Sequence, residues 1–256
     1  QTGLFLGMPG LTVDRQCGSG INAINLAAQA IWAGDGEIFV AGGVESMSRA
    51  PYLMDRPEKA YSPTPPRFRK SQLAPAEIGD PPMGITAENL AEKYDISREA
   101  QDLFSVQSQQ KMARAIEEGR FEEQIVPIYI PTRKGEPIKF DVDEHPRPET
   151  TIEGLAKLPA VFLKDGTVTA GSSSGLNDAA SVVVIMSREK AEQLGVTPLA
   201  VVRAQAVAGV DPNIMGIGPV PATEKVLEKA GLALEDMDLI EINEAFASQV
   251  LACDKE

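Results

Sequence analysis

The sequence predicts an α/β fold: two α/β pieces flanking an irregular insertion of more than a hundred residues. Three observations carry this. The opening reads strand, turn, helix, strand; residues 50–82 then hold eight prolines with little periodicity; and apolar strands alternating with helices return from Ala179 onward. At roughly 150 residues per domain, 256 residues suggest about two domains.

Taken in order, Leu11 to Arg15 is a short extended run followed by Cys17-Gly18-Ser19-Gly20. Ile21, Ile24, Ala28 and Ile31 then recur at helical spacing, and Gly34-Asp35-Gly36 is a C-terminal stop. Glu37 to Ala41 forms a strand running into Gly42-Gly43, so the unit is βαβ and predicts a parallel sheet. The proline-dense stretch is an excursion from that sheet. Two helices follow over Thr86 to Tyr94 and Ser97 to Glu118, the second with Ser97 as N-cap and Gly119 as stop. Between 125 and 170, short β-like runs (IVPIYIP, EPIKFDV, GTVTA) alternate with Pro and Gly. Beyond them come strands at Ala179 to Met186, 199–209 and Asp238 to Ile242, a helix over Pro221 to Ala230, and another from Glu244. The chain begins with Gln and stops inside a helix-like segment, the pattern of an interior piece of a longer protein.

Composition narrows the function. Apolar residues make up 43%, enough for a real core. With 24 Lys plus Arg against 37 Asp plus Glu, the net charge is −13, which disfavours nonspecific nucleic-acid binding but leaves room for a polyanionic small ligand. No apolar stretch approaches the ~18 residues of a membrane span, and the start lacks a signal-peptide pattern. Cys17 and Cys253 make no disulfide framework or zinc motif, and His145 is the single histidine. A cytoplasmic protein without metal is expected.

Cys17 sits at a strand-to-helix turn. A thiol there meets unpaired backbone N–H groups and the positive end of the helix dipole, both of which favour the thiolate. Flanking glycines let a substrate approach those N–H groups, as in nucleophile elbows. A buried structural cysteine fits the same segment equally well. Cys253, on the apolar stripe of the last helix with Phe246 and Val250, reads as structural. Asn243-Glu244-Ala245-Phe246 follows a strand at the edge where α/β sheets gather ligands, although on its own Asn243 reads better as a helix cap. His145 lies in a polar Pro-rich loop and takes no role. The run from Thr167 to Ser174 (TVTAGSSS) suits amide or phosphate binding and suits a flexible turn as well.

The segments TVDRQCGSGINAI, VAGGVESMSRAPYLM, MGITAENLAEKY, DEHPRP, KDGTVTAGSSSGLNDAA, GVDPNIMGIGPVPAT and DLIEINEAFASQ, in this order, resemble the thiolases, the acetyl-CoA acyltransferases, over nearly the whole chain. The resemblance implies a layered α/β sandwich with an inserted loop domain, incomplete at both ends. It divides the chain into 1–47, the remainder of an N-terminal half with the nucleophile elbow; 48–175, the inserted loop domain for CoA binding; and 176–256, the start of a C-terminal half. By the same resemblance Cys17 is the nucleophile and Asn243 holds a water in an oxyanion hole. Ser174 bonds the pantetheine arm, and Arg147 packs on the nucleotide end of CoA. Met83, Phe162, Met215 and Phe246 line the pantetheine tunnel and acyl pocket, residue types that also fill ordinary cores. Acyl-CoA and CoA are the implied substrates with no further cofactor, in fatty acid metabolism, and a homodimer or homotetramer is implied.

The sequence also departs from the family. The HPxG-type histidine motif and the C-x-G cysteine are not among the 256 residues, so the chain as it stands is expected not to turn over. Pro82 stands where acetoacetyl-CoA-specific members often carry His, and Ser172 where many carry Asn, which weakens a short-chain biosynthetic assignment. Much apolar surface is expected to lie exposed. The alternative function is a non-catalytic CoA-binding or assembly module with the same fold. A carrier-protein-dependent ketoacyl synthase shares the elbow but not NEAF or the inserted loop.

Overall fold

The computed structural model describes residues 3, 6–57 and 59–256. In chain order its elements are α1 (Ser19–Ala33), β1 (Ile38–Ser46), β2 (Leu53–Met54), β3 (Phe68–Arg69), α2 (Met83–Lys93), α3 (Arg98–Glu117), β4 (Ile128–Ile130), β5 (Ile138–Phe140), α4 (Ile152–Leu155), β6 (Asp178–Met186), α5 (Arg188–Leu194), α6 (Pro219–Ala230) and α7 (Ala247–Lys255). They form two compact units, one of Gln1–Lys70 with Leu176–Gln205 and one of Ser71–Gly175 with Ala206–Glu256.

In the first unit α1 packs on a ribbon made of β1 and β6. The helix ends where its sequence says it should: Gly34 is left-handed at φ 82°, its N–H reaches the Ile31 carbonyl, and the Asp35 N–H reaches Ala30. The predicted parallel sheet is corrected. β1 pairs antiparallel with β6, from Ile38 opposite Met186 to Ser46 opposite Asp178, and Leu11 to Arg15 enters no ladder. The end of that run is folded into a turn in which the Gln16 N–H bonds Asp14 Oδ1. Along β1 the pleat alternates: Ala41 is buried, while Val40 and Val44 stand exposed, as do Val182 and Val184 of β6. The expected exposure of apolar surface is met on this face.

Asp178, at the start of β6, ties the ribbon to the turn after β1. Its carboxylate accepts from Ser46 Oγ (3.0 Å), the Ser48 N–H (2.9 Å) and Ser48 Oγ. The Ser48 bonds chiefly hold its pKa below the ordinary 3.8. Because the folded value lies below the unfolded one, the stabilisation is present above the unfolded pKa and lost as pH falls through the folded value. Asp178→Ala is therefore expected to lower the Tm at neutral pH, with the gap to wild type closing as the pH drops below 3.8. A pH series of thermal melts checks this; a gap that stays constant into acid would disprove it.

The second unit has a helical core. Leu90 and Ala91 of α2, Ile96, Ile217 and Ala252 of α7 are buried together, with Tyr94, Val210, Ile214 and Leu251 around them. α3 starts as predicted, with Ser97 Oγ accepting the Ala100 N–H at 3.1 Å. IVPIYIP and EPIKFDV contribute the antiparallel pair β4–β5. GTVTA is reduced to a single bridge between Ala160 and Thr169. The strands expected at 199–209 and Asp238 to Ile242 are not formed, and Leu199, Val201, Leu239 and Ile240 are exposed; among the described residues no ladder partner lies beside them.

Candidate active site

Cys17 belongs to the first unit. Gln16–Gly18 is a single 3-10 turn leading directly into α1, and the thiol is exposed. In this chain, then, Cys17 is not a buried packing residue. The turn is built by its neighbours. Gln16 adopts φ 49°, unusual for a residue with a side chain and costing on the order of 1 kcal/mol. Offsetting bonds surround it: Ser19 Oγ accepts the Arg15 N–H at 2.8 Å and donates to the Gln16 carbonyl at 2.7 Å, and the Gly18 N–H bonds the Arg15 carbonyl. Ser19 is thus occupied in folding the turn.

The other candidates lie in the second unit. Thr169 Oγ1 accepts the Gly171 N–H, the Ser172 hydroxyl accepts the Thr169 N–H at 3.0 Å, and Ser173 Oγ donates to the Thr169 carbonyl at 2.7 Å. Thr169, Ser172 and Ser173 thus spend these groups on shaping their own loop. Ser174 is exposed, and its N–H donates to the Ala245 carbonyl at 3.0 Å, while Ser173 bridges Phe246. This pairing delays the last helix. Phe246 is extended and caps α7, so the helix starts at Ala247 rather than Glu244. Asn243 is consequently not its cap; it is exposed, beside a Glu244 carboxylate that accepts the Ser108 hydroxyl of α3 at 2.6 Å.

Phe162 stands edge-on to Phe246, ring centroids 5.9 Å apart. The Phe162 ring lies over Gly84, the residue after Met83 at the start of α2. Met83 is half-buried and Met215 more exposed, the latter in the 3-10 segment Pro212–Ile217, which packs on α2 and α7. Arg147 is pinned by its backbone, its N–H on Gln109 Oε1 at 2.7 Å and its carbonyl taking the Thr150 hydroxyl, and the residue itself is exposed. The structure thus joins Ser174, Phe246 and Phe162 in one neighbourhood of the second unit.

Two features lie beyond what the sequence reveals. Glu88 is buried on α2 and accepts hydrogen bonds from Thr167 and Val168; the available signal is an acid next to Ala87 and Ala91 on an apolar helix face. His145, given no role, has its imidazole against Gly175, where a Cβ would lie 2.1 Å from Nε2. Cys253 is half-buried, donates to the Gly216 carbonyl at 3.4 Å, and burial raises its pKa, in keeping with a packing role. Among the described residues no group of three or more His, Cys, Asp and Glu could hold a metal, and no helix is long and apolar enough to cross a membrane.

Comparison with known proteins decides the family. The model of the thiolase N-terminal domain matches residues 1–189, and that of the thiolase C-terminal domain matches 196–256. The chain belongs to the thiolase family. An acetyl-CoA acetyltransferase of Pseudomonas aeruginosa is 52% identical over all of this chain and 66% of its own length. A β-ketoadipyl-CoA thiolase of Acinetobacter baylyi is 48% identical over 99% of the chain and 65% of its own length. Among solved structures, human mitochondrial 3-ketoacyl-CoA thiolase matches with a TM-score of 0.86 and 45% identity, over 96% of this chain and 63% of that one. This thiolase chain spans just under two thirds of the length of such relatives, and its fold is the α/β fold they share.

Proposed function

We propose that the full-length protein transfers acyl groups between CoA thioesters, with Cys17 as the acyl acceptor. The observation that carries this is an exposed thiol held in a tight turn at the N-terminal end of α1, in a chain whose relatives are named acetyl-CoA acetyltransferases and thiolases. In the thiolytic direction Cys17 Sγ, as thiolate, attacks the 3-oxo carbon of a 3-oxoacyl-CoA. The C2–C3 bond breaks, its electron pair leaves as the acetyl-CoA enolate, and the enolate takes up a proton. The acyl group stays on Sγ as a thioester. A CoA thiolate then attacks that carbonyl, the bond to Sγ breaks, and the shortened acyl-CoA departs with Cys17 restored as thiolate. Each attack develops negative charge on oxygen and needs fixed donors, and to Asn243 we assign the holding of a water in one oxyanion hole. Ser174 and Arg147 hold the CoA arm and nucleotide end, and Met83, Phe162, Met215 and Phe246 line the pantetheine tunnel and acyl pocket. The same reading makes the protein a cytoplasmic homo-oligomer.

The test is peptide mass spectrometry of the full-length protein after a pulse of acetoacetyl-CoA. The expected result is an acetyl adduct on the Cys17 peptide, discharged by free CoA and absent in Cys17→Ala. A folded protein that binds CoA and leaves Cys17 unmodified would establish the non-catalytic alternative instead.

A further inference from the structure

We propose that Glu88 is a positioning residue for substrate binding: from the buried face of α2 its carboxylate fixes residues 166–168, and through them the pairing of Ser173 and Ser174 with Ala245 and Phe246. The proposal rests on the acyltransferase reading above and adds to it a residue that touches no substrate.

Glu88 is 6% exposed, so its two oxygens must find their partners within the protein. Oε1 accepts the N–H groups of Thr167 (3.0 Å) and Val168 (2.9 Å). Oε2 accepts the Thr167 N–H (2.9 Å) and the Thr167 hydroxyl (3.0 Å). Every one of these donors comes from two consecutive residues of one loop. Gly166 leaves room for the same group, since a Cβ there would stand 2.3 Å from Oε1. A third element sets the hydroxyl. Gln101, fully buried on α3, donates from Nε2 to Thr167 Oγ1 at 2.9 Å, which leaves that hydroxyl's proton to Glu88.

The residues beyond Thr167 are tied step by step. The Val168 carbonyl takes the Val161 N–H, next to Phe162, and Val168 and Thr169 are fully buried. Thr169 organises the turn to Ser172 and holds the Ser173 hydroxyl; Ser173 and Ser174 then pair with Phe246 and Ala245. The carboxylate is thus the anchor at one end of a continuous hydrogen-bonded run whose other end carries Ser174. Asn243 has a second, separate tie through Glu244 and Ser108, so it depends less on this anchor.

Glu88→Gln is the sharp test because it conserves volume. Both oxygen positions face a backbone N–H, so either orientation of the amide sets an NH2 against a donor. In the full-length protein, single-turnover acylation of Cys17 is followed against acetoacetyl-CoA concentration, well below the Tm. The half-saturating concentration is expected to rise about tenfold in Glu88→Gln, with the maximal rate falling less than about threefold, the pattern of lost binding rather than lost chemistry. Thr167→Val is expected to raise it about threefold, and Thr167→Ser to restore the wild-type value. A folded Glu88→Gln with an unchanged half-saturating concentration overturns the assignment; if that variant does not fold, an unchanged value in Thr167→Val does so. A wild-type protein that leaves Cys17 unmodified overturns the acyltransferase reading instead, and Glu88's role in it.

Discussion

Gly84→Ala is expected to drive the Phe162 ring off α2, lowering stability by about 1–2 kcal/mol and weakening the binding of acyl-CoA by the full-length protein. A Cβ at position 84 would lie 2.1–2.3 Å from Cγ and both Cδ atoms of Phe162, so the root of the ring must move and not merely its far edge. Two effects oppose each other. Alanine in a helix interior gains about 1 kcal/mol over glycine in propensity, and at the second residue of α2 it gains less. Overpacking of this kind costs about 1–3 kcal/mol, and the displaced ring also loses its edge-to-face contact with Phe246. The cost therefore wins. Gly84→Ala combined with Phe162→Leu should recover part of the stability, since the smaller branched side chain clears the added methyl, and urea unfolding of the two single variants and the double variant measures that coupling. A neutral Gly84→Ala, or strictly additive losses, would show that the ring has room to shift. The functional loss should appear as a higher half-saturating acyl-CoA concentration, because Phe162 and Phe246 are proposed to line the substrate path.

No local pattern reveals that Gly84 seats a ring. The sequence discloses best the structure that neighbours make. The α1 stop at Gly34 and the Ser97 cap of α3 are legible because each is completed within a few residues. Strands are completed by distant segments. Val183 opposite Ala41 fixes an antiparallel ribbon, while 199–209 has the apolar content of a strand and forms none, and no periodicity separates the two cases. The candidate site divides in the same way. The turn at Cys17 is local, closed by Arg15, Gln16 and Ser19, but the sequence alone leaves its exposure open. Asn243 reads as a cap but is not one, because the true start of α7 is set by pairing across to Ser173 and Ser174. Glu88 acts on Thr167, 79 residues away, and only its place among alanines on α2 hints at it.

Gly42→Ala is expected to open the β1–β6 ribbon and to cost about 2–4 kcal/mol, the largest single effect in the first unit. The sequence places Gly42-Gly43 at the end of a strand, whereas β1 runs through both to Ser46. A Cβ on Gly42 would meet the Ser181 carbonyl oxygen at 2.4 Å and the Val182 Cα at 3.1 Å. Both atoms belong to the opposing backbone, so no rotamer relieves the contact and the ladder itself has to part. Gly43 is the internal control. Its added Cβ would face the other way, toward Gly20 Cα at 3.3 Å, a distance that α1 can accommodate by moving a few tenths of an ångström. Gly43→Ala should therefore cost less than about 1 kcal/mol. Its effect should fall instead on Cys17, because the movement displaces the first turn of the helix that follows the thiol. Urea unfolding of the two variants, with the acylation rate of Cys17 measured beside it, separates the cases. If Gly42→Ala and Gly43→Ala lose equal stability, the two faces of β1 are not distinguished as described; if Gly43→Ala leaves the acylation rate untouched, the seat of α1 on β1 does not govern the nucleophile.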